Sequence, residues 1–442
     1  MFTYRGYLGW ITDLASHPHP TGAWPVTEID DSLLADYGAS FAMQQSIGLD
    51  ISSIWGLAVG RSWPLDIESS VTERRMGQLH RLLDSAHRHD IRVLAGTGVY
   101  SWGFDTIIRA NPALSAGNPH AMCASNPDAW PWMRRVLDFM GDVVGVDGFS
   151  FQSADQGRCP CARCARWNDV EYHAHLNARA AAYVKERWPV KLVAINGWGM
   201  DFSDSTDLSH IVTMTRHADY VIDPHNSAAW QDPAYRCRLA EAIAPCAYGT
   251  VGGPFVEPPQ HWERTRWFLP CLERAARHVM ELHADGGHAM EVYFHILANP
   301  GDEVSVSHTA ALLRDPTRSS DEALHEVLDL LYRPHDHTAL DRLVSLFRRA
   351  DAAYFAHARD LPARATISLE PLISDHAGDP IYLTQHFDRR GLEAYEQEIT
   401  ALLGECSALA DHVTRRDKVE TIVTCLRGAQ ADVMRAWEQC GG

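Results

Sequence analysis

The sequence predicts an α/β protein: a TIM-type (β/α)8 barrel followed by a C-terminal α-helical region. Eight short apolar, β-rich runs alternate with longer amphipathic runs as far as residue 315. Beyond that point the strand signal stops and only helical patterns remain. No Gly-rich phosphate fingerprint follows any of the strand runs, which weakens the alternative of an open doubly wound sheet.

The strand runs are 4–10 (YRGYLGW), 51–58 (ISSIWGLA), 91–99 (IRVLAGTGV), 147–153 (DGFSFQS), 191–197 (KLVAING), 219–223 (DYVID), 247–252 (AYGTVG) and 288–295 (HAMEVYFH). Between them, 70–88 opens on Ser70-Val71-Thr72-Glu73, the spacing of a capping box from Ser70 to Glu73. Met76, Leu79, Leu82, Leu83 and Ala86 follow at helical spacing. Residues 127–144, 168–187, 204–216, 232–243 and 260–284 carry similar patterns, and 320–332, 336–358, 388–413 and 416–438 supply the C-terminal helices. The expected organisation is a catalytic barrel over 1–315 and a helical domain over 316–442, with a Pro- and Asp-containing connection at 359–387.

A net charge of −18 with no Lys/Arg block argues against nucleic acid and against anionic membrane surfaces. No stretch approaches the roughly 18 apolar residues of a membrane span. The first residues lack a basic stretch followed by an apolar one, so a cytoplasmic location is expected. A homo-oligomer is compatible with the chain. Ten scattered cysteines do not make a disulfide scaffold.

In a βα barrel the chemistry lies at the carboxyl ends of the strands. There the sequence puts Trp10, Trp55, Trp102, Gln152, Asp155, Asn196, Trp198, Asp223, His225, Asn226, Glu257, Glu291, Tyr293 and His295, with Arg5 on the first strand. Sugars need hydrogen-bonding amides and carboxylates together with an aromatic face for the ring. Cleaving a glycoside needs two carboxyl groups flanking the bond. A glutamate inside the run Met-Glu-Val-Tyr-Phe must be paired or functional, since an unpaired buried charge is costly. Asp155 and Glu291 are therefore the expected catalytic pair, with Asp223 in reserve. Arg5, Trp10, Trp102, Gln152, Asn196, Trp198, His225, Asn226, Tyr293 and His295 would line the pocket.

Cys159, Cys161 and Cys164 form C-x-C-x-x-C directly after Asp155, and Cys123 lies in the preceding connection. Four thiolates would suit a closed tetrahedral zinc site. A disulfide from Cys123 and inert thiols are the alternatives. No cofactor is expected for the chemistry itself.

Two segments resemble known proteins. "AMCASNPDAW" followed by "VDGFSFQSADQGRCPCARC" resembles a group of bacterial glycan-utilisation barrels. In these a cysteine before an Asn-Pro-Asp/Glu segment accompanies Asp-x-Gly-x-Cys-x-Cys-x-x-Cys after strand four. They are related in fold to α-glucuronidases and β-hexosaminidases. "YRGYLGW" is similar to the opening strand of family 20 β-hexosaminidases, whose arginine grips sugar hydroxyls; the matching residue is Arg5. That family carries an Asp-Glu pair after strand four, with the glutamate as general acid. Here the pair is Asp155-Gln156, and an amide cannot donate a proton as an acid. The resemblance implies a glycosidase-type barrel with a carbohydrate substrate. A non-hydrolytic sugar-binding barrel, or a metal-dependent hydrolase or lyase using the mouth histidines, are the rival expectations.

Overall fold

A computed structural model describes residues 1–11, 29–60, 62–200, 207–224, 232–252, 267–293, 299–357 and 387–440, without the side chains of residues 224, 251, 252 and 293. Eight parallel strands follow in chain order around a closed barrel. They are β1 (Tyr4–Trp10), β2 (Ile51–Trp55), β3 (Arg92–Gly98), β4 (Gly148–Gln152), β5 (Leu192–Asn196), β6 (Tyr220–Pro224), β7 (Ala247–Gly252) and β8 (Ala289–Tyr293). Each run read from the sequence holds or overlaps one of them. Strand β8 closes on β1 with Glu291 opposite Gly6.

Parallel neighbours need a crossover, and helices supply it. These are α1 (Asp31–Ile47), α2 (Glu73–Arg88), a short α3 (Asp105–Ala110), α4 (Ala129–Asp138) prolonged by a π-helical turn, α5 (Asp169–Arg187), α6 (Leu208–Thr215), α7 (Pro233–Ile243) and α8 (Glu273–Ala284). The start of α2 differs from the capping box expected at Ser70. Thr72 is the N-cap, its hydroxyl accepting from the Arg75 N–H, while the Ser70 hydroxyl donates to the Ile67 carbonyl. The helix therefore begins two residues later, at the hydroxyl whose reach matches the free N–H.

Strand residues alternate between two environments. Leu8, Ile51, Trp55, Leu94, Ala194, Tyr220, Ile222 and Ala289 meet inside the barrel. Their neighbours of opposite parity, such as Tyr7, Ile54, Val93, Phe149, Val221, Tyr248 and Met290, pack outward in two larger clusters with the helices.

The chain continues through α9 (Pro300–Arg314), α10 (Ser320–Tyr332), α11 (His337–His357), α12 (Arg389–Leu409) and α13 (Arg416–Gln439). Helix α9 is buried on every side as far as Leu313. Its Ser305, Ser307 and Thr309 hydroxyls donate to carbonyls one turn back, which satisfies them without water. Trp267 donates its indole N–H to Asp432 at 2.9 Å, and Lys418 pairs with Glu303. Asp351 of α11 accepts from the Leu272 and Glu273 amides at the start of α8. One apolar cluster thus runs from Val221 and Met290 of the barrel wall to Ile422 and Val433 of α13. Among the described residues, no helix is long and apolar enough to cross a membrane.

That shared core makes a test. Leu312→Ala in α9, where the side chain is fully buried, is expected to cost roughly 2–5 kcal/mol. Far-UV circular dichroism and tryptophan emission should then shift together in urea. Separate transitions would mark the C-terminal helices as an independent unit.

Candidate active site

The mouth is built on three tryptophans from the carboxyl ends of β1 and β2 and from the turn after β3. The ring centroids of Trp10 and Trp102 lie 4.7 Å apart, those of Trp55 and Trp102 5.4 Å, and those of Trp10 and Trp55 5.6 Å. Trp55 is buried in the lumen, whereas Trp10 and Trp102 are half-exposed. Room for Trp55 comes from β3. A Cβ at Gly96 would meet its indole at 2.3 Å, so only glycine lets the ring lie there. Gly98 has the same role for the next turn, where a Cβ would meet the Ser101 and Trp102 carbonyl oxygens at 2.1 Å.

That turn is strained. Tyr100 (φ 66°) and Trp102 (φ 54°) both sit in the left-handed region, a costly conformation for aromatic residues. Contacts across the loops hold it. The Trp102 N–H donates to Gln156 Oε1 at 3.1 Å, the Ser101 hydroxyl to the Ser153 carbonyl at 2.7 Å, and the Met122 N–H to the Tyr100 carbonyl at 2.8 Å.

Asp155 follows β4 and is exposed at this rim. Its Oδ2 accepts the Trp102 indole N–H at 2.9 Å. An indole donates only, so the oxygen in this contact must be an acceptor. Gln156 turns the other way. Its side chain serves the Trp102 backbone, and its carbonyl accepts from Asn118. Gln156 is therefore engaged in shaping the β3 loop. Gln152 and Asn196 lie buried at the ends of β4 and β5, and Asn196 Oδ1 accepts from the half-buried Trp198 N–H at 2.9 Å.

Side-chain direction bears on three of the expected site residues. Asp223 has the parity of Val221, not of the lumen residue Ile222. It is buried outside the strands and accepts from the Tyr248 hydroxyl at 3.3 Å. Arg5 has the parity of Tyr7 and belongs to the amino end of β1, where Asp50 lies 3.9 Å away and also binds Arg92 at 2.9 Å. It belongs to the floor of the barrel, away from the mouth. Glu291 does enter the lumen, but below the tryptophans. Its Oε1 accepts from the Ser53 hydroxyl at 2.8 Å and from the Tyr220 hydroxyl at 2.6 Å. Trp55 follows Ser53 by two residues on the same face of β2. Only 1% of Glu291 is exposed. His225, Asn226, Glu257 and His295 lie outside the described residues, as does the Tyr293 side chain.

What the sequence reading missed is the strained Trp102 turn and its grip on Asp155 and Gln156. The glycines of "LAGTG" in β3 were the available signal, since glycine inside a strand marks a close approach.

The four cysteines converge. Their sulfurs all lie within 4.8 Å of one another, with Cys123 to Cys161 at 3.6 Å and Cys123 to Cys164 at 3.7 Å. Cys123, Cys159 and Cys164 are buried. The Cys164 backbone N–H lowers the Cys161 thiol to about 6. No cysteine is in a disulfide among the described residues, and this is the one group there with the spacing of metal ligands.

No protein-family profile matches the chain, and no curated protein matches it. Solved structures do. A GH138 enzyme targeting pectin rhamnogalacturonan II superposes with a TM-score of 0.61 at 8% identity, over 99% of this chain and 71% of that one. The structure of CpGH84B gives 0.50 at 8% identity, over 100% and 69%. An O-GlcNAc hydrolase mutant from Thermobaculum terrenum gives 0.49 at 10% identity, over 99% and 94%. The likeness is one of fold. These neighbours are glycoside hydrolases, and this chain shares their eight-stranded parallel barrel.

Within that barrel, Glu291 supplies a pH test. Burial raises its carboxyl from 4.5 to about 7, against the opposing pull of the Tyr220 and Ser53 hydrogen bonds. The folded state thus holds this proton more tightly than the unfolded one. Its contribution is fully present below 4.5 and is lost as pH rises through 7. Glu291→Gln, which can still accept both hydroxyls, is expected to flatten that slope and to exceed wild type by roughly 3 kcal/mol above neutrality. Urea denaturation near pH 5 and near pH 8 measures it, and an unchanged slope would remove the assignment. Gly96→Ala must displace Trp55 and is expected to cost about 1–3 kcal/mol, with altered near-UV circular dichroism.

Proposed function

We propose that the protein is a glycoside hydrolase acting on a small glycan or glycoside, with Asp155 as the carboxylate presented to substrate. The observation that supports this most is the exposed Asp155 carboxylate, oriented by the Trp102 indole beside Trp10. A sugar ring offers an apolar C–H face to aromatic rings and hydroxyls to carboxylates and amides. Trp10 and Trp102 are the face; Gln152, Asn196 and Trp198 are the remaining candidates for contact.

Asp155 holds Oδ2 as an acceptor. That suits a base, a nucleophile, or the negative partner of an oxocarbenium-like transition state. The leaving group still needs a proton donor. The Asp223 carboxyl accepts from Tyr248 and the Glu291 carboxyl from Ser53 and Tyr220, so we assign neither to proton donation and propose Glu291 as a support of the floor. We propose Glu257, which follows β7 in sequence, as the carboxyl candidate for the acid.

A panel of aryl glycosides tests this. Asp155→Asn is expected to lower kcat/KM roughly 10²–10⁴-fold with the fold intact. Trp102→Ala should raise KM and release Asp155. Glu291→Gln should leave turnover within about tenfold of wild type, since it does not touch substrate. If Glu257 is the acid, Glu257→Gln should slow substrates with poor leaving groups far more than activated ones. Binding of glycans by calorimetry without any turnover would replace this reading with a sugar-binding barrel.

A further inference from the structure

We infer that Cys123, Cys159, Cys161 and Cys164 hold a structural zinc ion that clamps the loop after β3 onto the loop after β4, and so sets the mouth. The site needs no mouth residue, and its tests need no substrate. Its fate and that of the glycosidase reading are therefore separable.

Zinc bound to sulfur at about 2.3 Å in a tetrahedron separates the sulfurs by about 3.8 Å. The distances of 3.6 and 3.7 Å from Cys123 to Cys161 and Cys164 already match that edge, and all four sulfurs fall within 4.8 Å. A disulfide would need about 2.05 Å. Four protein sulfurs leave no open position, which is the pattern of a structural site and not a catalytic one.

The surroundings suit the charge. Zinc with four thiolates is a net dianion, formed as the thiols give up their protons to solvent. Arg158 precedes Cys159, Arg163 stands between Cys161 and Cys164, and Arg166 follows Cys164. Arg158 is fixed in place by hydrogen bonds to the Cys164 and Trp167 carbonyls at 2.8 and 2.7 Å, with its guanidinium over the Tyr172 ring. The Ser125 hydroxyl lies 3.3 Å from the Cys164 sulfur, and the Cys159 N–H donates to the Tyr172 hydroxyl. Such outer contacts orient ligands and tune their charge.

Position gives the consequence. Cys123 directly follows Met122, whose N–H holds the strained Tyr100 turn, and Cys159 begins three residues after Gln156, which holds Trp102. Clamping the two segments keeps Gln156 under the Trp102 backbone and Asp155 on the Trp102 indole. The metal would act on the mouth only through these positioning contacts.

The test uses the full chain purified in the presence of Zn²⁺. Elemental analysis is expected to find about one zinc per chain, released by a mercurial as the cluster thiols react. Cys159→Ser and Cys164→Ser should each lower zinc roughly tenfold or more, while Cys237→Ser, outside the cluster, leaves it unchanged. Stripping the wild type with a chelator should raise amide exchange over 121–125 and 153–158 but not in α13, and Zn²⁺ alone should restore protection. If the serine variants fail to fold, Co²⁺ substitution of the wild type decides, because a tetrahedral tetrathiolate has its own visible spectrum. A folded full chain that takes up neither Zn²⁺ nor Co²⁺, or that carries a Cys123 disulfide, would overturn the inference. So would zinc loss that leaves exchange at 153–158 unmoved.

Discussion

Eight parallel strands that close on themselves leave each strand side chain two places to go, and the register settles which. The placement of the strand residues considered for the site depends on that parity. One step along β6 separates Ile222, inside, from Asp223, outside against Tyr248. On β1 the same step separates Leu8 from Tyr7 and sends Arg5 outward to Asp50. Because the interior is filled with side chains, a residue can reach substrate only from the last layer or from the loops above it. Glu291 points inward, where the Ser53 and Tyr220 hydroxyls hold its carboxyl.

The mouth is made by an exchange of volume between neighbouring strands. Glycine at 96 and 98 removes side chains from β3 where Trp55 and the Trp102 turn need the space. The cost is a segment with little side-chain packing of its own and two aromatic residues at positive φ. Cross-loop hydrogen bonds from Gln156, Ser153 and Met122 offset that cost. Strain of this kind persists only where the surroundings over-determine it. Here it aims an indole N–H at a carboxylate.

The fold was largely legible because each strand is a short β-rich run, a pattern that local composition records. Helices α1 and α9 escaped for one reason. Their buried faces include Ser40 and Gln44 in one, and Ser305, Ser307 and Thr309 in the other, so apolar periodicity does not announce them. The cysteine cluster was legible, since three of its members fall within six residues. The direction of Asp223 was not, because Tyr220-Val221-Ile222 is apolar on both faces and alternation carries no sign. Nor was the Trp102–Asp155 contact, which joins residues 53 apart in sequence. Glu291 reads as paired or functional; its hydrogen bonds to Tyr220 and Ser53, 71 and 238 residues away in sequence, are contacts that sequence alone could not supply.

Gln156 brings these threads together. Judged against the hexosaminidase pattern, an amide there reads as a lost acid. Judged by its contacts, it is an acceptor for a backbone N–H that a left-handed turn would otherwise leave exposed. A carboxylate in that place would put a second negative charge beside Asp155, on a rim where like charges repel. A neutral acceptor supports the turn without competing with Asp155 for the Trp102 indole or for a cationic transition state. Along ten residues the loop sets Asp155 on the Trp102 indole, Gln156 under the Trp102 backbone, and the sulfurs of Cys159, Cys161 and Cys164 beside that of Cys123.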